Sequence, residues 1–278
     1  MSKALQGEIY KLTRNPGFKI YCVFISLIMI GETVYSYNLW KYYTDIFLEY
    51  RTKKLNPYPQ VLSQYWIGGD ISSVFLELYY IFFPIIAVLP FAITYYSEIK
   101  NGYAKNVCVK VGKKNYIIAK SIVTYIAGGL ACACPLCVNL WITSLYAPNI
   151  PQQVTNMTSA VISSGLWPDL FYDKPVAYAF IYIGLAFLFG GLMAAFTMIF
   201  AYCASNVFVY CVTAFLMNIS AYYLLFYTEF LKFVPRAFLN PSQPLSGMTY
   251  SGIAIAFLAL LLITVVGIYA HTKKQILR

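Results

Sequence analysis

The sequence predicts an all-α polytopic membrane protein with six transmembrane helices and an N-terminal amphipathic interfacial helix. Three observations predict it. Of 278 residues, 60% are hydrophobic and only 11% are charged, with a mean hydropathy of +0.64; ordinary soluble domains carry about 25% charged residues. The apolar residues gather into six runs, each close to the roughly 20 residues that cross a bilayer. Lysines and arginines flank these runs and mark one side, the pattern that sets orientation in a membrane. The net charge of +10 is therefore assigned to topology. The lipid bilayer is the expected partner, and nucleic acid is not.

The whole chain, 1–278, reads as a single transmembrane domain. Residues 1–16 form the interfacial helix: Leu5, Ile9 and Leu12 recur at helical spacing, and Lys3, Lys11 and Arg14 lie off that face. The plainer alternative is a basic anchor that sets topology. Pro16-Gly17 ends this helix. The first span is Phe18 to Trp40. Its apolar core is too long for a signal peptide, and no small-residue cleavage site follows it, so it is expected to be retained. The second span is Leu76 to Tyr96, with kinks expected at Pro84 and Pro90. The third runs from near Tyr116 to near Tyr146, the fourth from Val176 to about Cys203, the fifth from Phe208 to Tyr227, and the sixth from Ser251 to Ala270.

Both termini are placed in the cytoplasm of a multi-pass cell-membrane protein. Thirteen of the 20 lysines and arginines then fall on the inner side, among them Lys100, Lys105, Lys110, Lys113, Lys114 and Lys120. Residues 41–75 and 147–175 become long outer loops, with Trp66 and Trp167 suited to the headgroup region. The stretch Gln64 to Asp70 is expected to fold back as a short interfacial segment, and Asn156-Met-Thr158 fits a glycosylation sequon. Residues 97–115 become a short basic cytoplasmic loop.

That loop is patterned. Gly102 and Gly112 bracket a stretch in which Tyr103, Val107 and Val111 share one helical face, with Lys105 and Lys110 off it. Such a helix, held between two spans, would accept force from a cytoplasmic partner; a solvated positive-inside loop is the alternative. Glu32 lies inside the first span, where a charge costs about 2.5–3.5 kcal/mol at the membrane centre. It is either a pathway or gating residue or an acid of the outer interface. Glu77 reads as an outer-edge acid. Cys132, Cys134 and Cys137 sit within an apolar run and read as packing residues, as do Gly190 and Gly191. The single histidine and the scattered acids offer no catalytic cluster or metal site.

Three segments resemble the permease subunits of type-2 ABC transporters. They are Gly7-Glu-Ile-Tyr-Lys-Leu-Thr-Arg14, Leu78 to Pro90, and Glu98-Ile-Lys-Asn-Gly102 leading to Lys113-Lys114-Asn-Tyr-Ile-Ile-Ala-Lys120. The six-span layout extends the resemblance over the chain. The family often has arginine in the basic turn after its coupling helix, where this chain has Lys113 and Lys114. The resemblance implies a transmembrane pathway built from two permeases, this chain pairing with a second copy or a similar subunit. Cytoplasmic ABC ATPase subunits would drive it. Glu98 and Gly102 would shape the start of the coupling helix, and Tyr103, Lys105, Val107 and Lys110 would meet the ATPase. No G-x-x-x-x-G-K-[ST] loop occurs. No catalysis or cofactor is therefore expected in this chain, and ATP and Mg would be bound by the partner. The resemblance leans to export, and the aromatic, weakly charged interior suits an amphipathic cargo, a peptide, antibiotic or lipid-like compound. An ion-coupled secondary transporter and a non-transporting membrane sensor or scaffold are the alternatives.

Overall fold

A computed structural model describes residues 2–53, 59–66, 69, 73–152, 161, 165–243, 245 and 247–275. All regular structure among them is helical. In chain order the helices are α1 (Ser2–Arg14), α2 (Pro16–Thr52), α3 (Leu62–Tyr65), α4 (Val74–Val88), α5 (Ala92–Lys100) and α6 (Tyr103–Val111). They continue with α7 (Lys113–Ser144), α8 (Pro168–Asp173), α9 (Pro175–Thr197), α10 (Val207–Leu225), α11 (Pro235–Phe238) and α12 (Tyr250–Gln275). Among the described residues, α2, α7, α9, α10 and α12 are each long and apolar enough to cross a membrane. The bent pair α4 and α5 passes the same test as one unit, giving five or six spans. The sequon Asn156–Thr158 and the end of the fold-back segment at Asp70 lie outside the described residues.

Helix α2 is longer than its apolar run. Asn15 caps it by accepting the Gly17 N–H at 3.2 Å, and Pro16 occupies the first turn, where its missing N–H costs nothing. The helix then runs 37 residues, about 56 Å at 1.5 Å per residue. Its buried stripe is Gly17, Tyr21, Ile25, Ile28, Glu32 and Ser36. The helix goes on beyond Ser36 with no buried residue, so residues 41–52, expected as loop, are helical. Nothing in Lys41–Thr52 breaks a helix, and its end carries an exposed i,i+4 pair of Lys53 with Glu49 at 2.6 Å.

The second span bends by 42° between α4 and α5. α4 continues through Pro84, and the break falls at Leu89–Phe91, around Pro90. Proline has no N–H to close the preceding turn.

The centre of the bundle is the antiparallel pair α7 and α9, with α4 and α2 packed beside it. Small residues let the two backbones meet. A Cβ on Gly128 would lie 2.4 Å from the Ala194 Cβ, and one on Gly190 would lie 2.8 Å from the Cys132 Sγ. The contact expected of Gly190 and Gly191 is thus present, and its counterpart is Gly128 and Gly129. Cys132 is buried there, whereas Cys134 and Cys137 are exposed on other faces of α7. By contrast, α10 and α12 bury only 22% of their apolar windows. Their outer faces carry Leu216, Leu224, Leu258, Leu262 and Val266. Exposed apolar bands of this extent need a non-aqueous solvent.

At the end remote from α6, the connecting segments fold inward. Trp66, expected at the headgroup level, is instead 1% exposed within the core. Tyr178 donates its hydroxyl to the Pro241 carbonyl, and Gln243 clasps Leu166 through both its N–H and its C=O. These bonds satisfy backbone groups that would otherwise be stranded.

Candidate functional site

Three segments distant in sequence meet in one buried ring of charge. Glu8 and Lys11 come from one face of α1, Glu98 from the last turn of α5, and Lys120 from the second turn of α7. Lys11 Nζ donates to Glu8 Oε1 at 2.8 Å and to Glu98 Oε1 at 2.7 Å. Lys120 Nζ donates to Glu8 Oε2 at 2.7 Å and lies 3.1 Å from Glu98 Oε2. The ring therefore closes: each cation touches both anions, and each carboxylate oxygen has a cationic partner. Tyr116, one turn before Lys120, adds its hydroxyl to Glu98 Oε2 at 2.6 Å.

Three members of the ring are out of water, and Lys11 is partly exposed, its side chain 27% accessible. Lys120 is 0% exposed, Glu8 4% and Glu98 8%. Lys120 also sits 4.6 Å from the Phe91 ring centroid, and Lys11 sits 4.7 Å from that of Tyr103, positions in which an aromatic face attracts a cation. Formal charge balances within the ring, so burial is tolerable only while all four members are present. Burial pulls the Lys11 ammonium toward deprotonation, but its hydrogen bonds and attraction to Glu8 and Glu98 outweigh that and raise its pKa. Since the folded-state value is the higher, Lys11 contributes stability at neutral pH, lost as alkaline pH rises through that raised value.

A second tie joins the same elements. At the α4–α5 bend, the Thr94 N–H bonds to the Phe91 carbonyl at 2.9 Å, which leaves the Pro90 carbonyl without its helical partner. Asn15 Nδ2 donates to that carbonyl at 2.9 Å. The elbow between α1 and α2 is thus fastened to the bend, with the Leu89 carbonyl only 2.4 Å from where a Gly17 Cβ would be. Replacing Asn15 by alanine removes both the cap and this bond. The expected cost is about 1–2 kcal/mol, read as a lower thermal midpoint in detergent micelles; an unchanged midpoint would show that the elbow is held by other contacts.

Helix α6 follows directly from α5. Gly102 (φ 71°) opens it and Gly112 (φ 86°) closes it, a backbone region that favours glycine. Its inner stripe is Ala104, Val107, Cys108 and Val111, of which Ala104 is 4% exposed and Val107 and Cys108 pack on the core. The expected face of Tyr103, Val107 and Val111 is therefore split. Val107 turns inward, and Tyr103 stands half exposed beside Lys11. Lys105, Lys110 and Val109 form the outer face, with Val109 88% exposed. Burial in α1 also differs from the amphipathic reading. Glu8 is buried and Lys11 and Leu12 half-buried, while Ile9 and Tyr10 are exposed; the side chain of Leu5 lies outside the described residues.

Sequence reasoning singled out Glu98 and Gly102 but missed Glu8, Lys120, Tyr116 and Asn15. The signals were an acid in a basic N-terminal stretch and a lysine four residues into the third apolar run. Glu32 stands apart from the ring, about 22 Å along α2 from Gly17 at helical rise. It is 0% exposed. Ser36 donates to its Oε1 at 2.9 Å, and Ser73 donates to its Oε2 while its Oγ accepts the Leu76 N–H and so caps α4. Glu32 thus latches α2 to the start of α4. Glu32→Leu strands both hydroxyls and is expected to cost about 2–3 kcal/mol, whereas Glu32→Gln keeps an acceptor and costs less. Equal unfolding midpoints for the two variants would contradict the latch. Glu77 is half exposed, 3.9 Å from Arg236.

No protein-family model matches the chain, no curated protein is significantly similar to it, and no solved structure matches it.

Proposed function

We propose that the chain is the transmembrane permease subunit of an ATP-driven type-2 ABC transporter, embedded in the cell membrane with both termini in the cytoplasm. The observation that carries the reading is the coupling of α6 to the bundle. A short helix between two glycines of positive φ presents Tyr103, Lys105, Val109 and Lys110 outward. Immediately before it, the ring of Glu8, Lys11, Glu98 and Lys120 joins α5 to α1 and α7. A loop with no mechanical role needs neither feature.

In this reading, cytoplasmic ABC ATPase subunits bind ATP with Mg and push on the outer face of α6. Glu98, two residues from the end of α5, passes the displacement to α1 and α7 through the ring. Asn15 passes it from the α4–α5 bend to the base of α2. A buried ring of ion pairs suits this task because its members move together: separating one exposes charge to an apolar surround. The chain itself performs no catalysis. It pairs with a second copy or a similar permease, and the route between them exports an amphipathic peptide, antibiotic or lipid-like compound. Purification of the full chain from its native membrane tests this. An ATPase bearing a phosphate-binding loop is expected to co-elute and hydrolyse ATP; its absence would remove the reading.

A further inference from the structure

Helices α7 and α9 are in backbone contact near Gly129 and Gly191, while α12 packs on α9 and stands away from α7. The result is a wedge-shaped groove of about 1010 Å³, floored by Phe187 and Leu192 of α9 and walled by α7 and α12. From Lys113 to Ile126 it follows α7 for about 20 Å at helical rise. That is close to one leaflet, about half of a 30 Å hydrocarbon core plus its headgroup margin. The lining is almost entirely apolar, and no acidic residue contributes to it. Charge is confined to one end, where Lys113 and Lys114 open α7. Neither has an ion-pair partner among the described residues, although the ring lysines nearby are fully paired. Gly112 gives no side-chain cap, so the partial positive charge of the α7 N-terminus adds to theirs.

We infer that this groove binds an anionic phospholipid from the adjoining leaflet, its acyl chains between α7 and α12 and its phosphate at Lys113 and Lys114. Charge complementarity at one end and matched length along the groove favour this occupant. It does not depend on the transport reading. A lipid held here would fill the gap beside the base of α7, three turns of which also carry Tyr116 and Lys120.

The test is native mass spectrometry of the full chain released from vesicles of equal parts phosphatidylglycerol and phosphatidylcholine. The wild type is expected to retain phosphatidylglycerol in preference. Lys113→Ala with Lys114→Ala should lower that retention at least five-fold. Lys105→Ala with Lys110→Ala, on α6, should leave it unchanged. Ile122→Trp, at a partly exposed wall position, should also lower it by filling the groove. Equal retention of the two lipids by the wild type, or retention unaffected by loss of Lys113 and Lys114, would overturn the site. Retention unaffected by Ile122→Trp, or displacement of the lipid by millimolar inorganic phosphate, would show that the chains do not lie in the groove.

Discussion

Replacing Lys120 with methionine is expected to destabilise the folded chain by about 3–5 kcal/mol, the cost of leaving buried charge uncompensated. Methionine keeps most of the apolar stem but lacks the terminal ammonium, so the loss combines the missing ion pairs with the cation's contact on the Phe91 ring. Glu8 and Glu98 would then face each other with only the partly exposed Lys11 between them. The control is Lys53→Met, which breaks an ion pair of similar distance at a position where the two side chains are 59% and 65% exposed. Solvent screening leaves such a pair about 0.5 kcal/mol or less. Chemical unfolding of both variants in the same micelles reads the difference. A Lys120→Met cost no greater than that of Lys53→Met would mean that the ring does not hold α1 to α7. Exchanging the charges, Glu8→Lys with Lys120→Glu, is expected to recover less than half of the loss, because each new charge then also faces a like-charged ring member, Lys11 or Glu98.

The second large effect concerns function. Tyr103→Asp with Val109→Asp places two carboxylates on the exposed side of α6 without touching its inner stripe of Ala104, Val107, Cys108 and Val111. Folding should change little, by about 1 kcal/mol or less: Val109 is 88% exposed, and an aspartate at 103 sets an opposite charge beside Lys11 in place of the aromatic face. Binding of a partner should not survive, because two unpaired charges must be desolvated in a small interface. The choice of Val109 matters. Val107→Asp would bury a charge against the core and lower stability, so its effect on a partner could not be told from unfolding.

The spans were legible in the sequence because the bilayer requirement is local: about 20 apolar residues announce themselves wherever they occur. The brackets at Gly102 and Gly112 were legible for the same reason, as each is the property of one residue; of the two prolines expected to kink the second span, only Pro90 lies at a break, and α4 runs on through Pro84. The helical extension of α2 through Lys41–Thr52 was not, because a polar helix and a polar loop share their composition. Nor was the ring. Glu8 and Lys120 are 112 positions apart, and in sequence one reads as part of a basic anchor and the other as a positive-inside lysine. Only the docking of α1 onto α7 gives them a common meaning. The inward face of α6 was ambiguous for a related reason. Residues 103, 107 and 111 form one helical row and 104, 107, 108 and 111 another, and the choice is made by what lies beneath, not by the helix itself.

The most direct measurement is the amount of ATPase retained per chain when the wild type and the Tyr103→Asp, Val109→Asp variant are purified in parallel from native membranes. Retention by the wild type and at least a ten-fold loss by the variant, at equal thermal stability, is the result predicted for a coupling helix. Equal retention by both, or none by either, would contradict it.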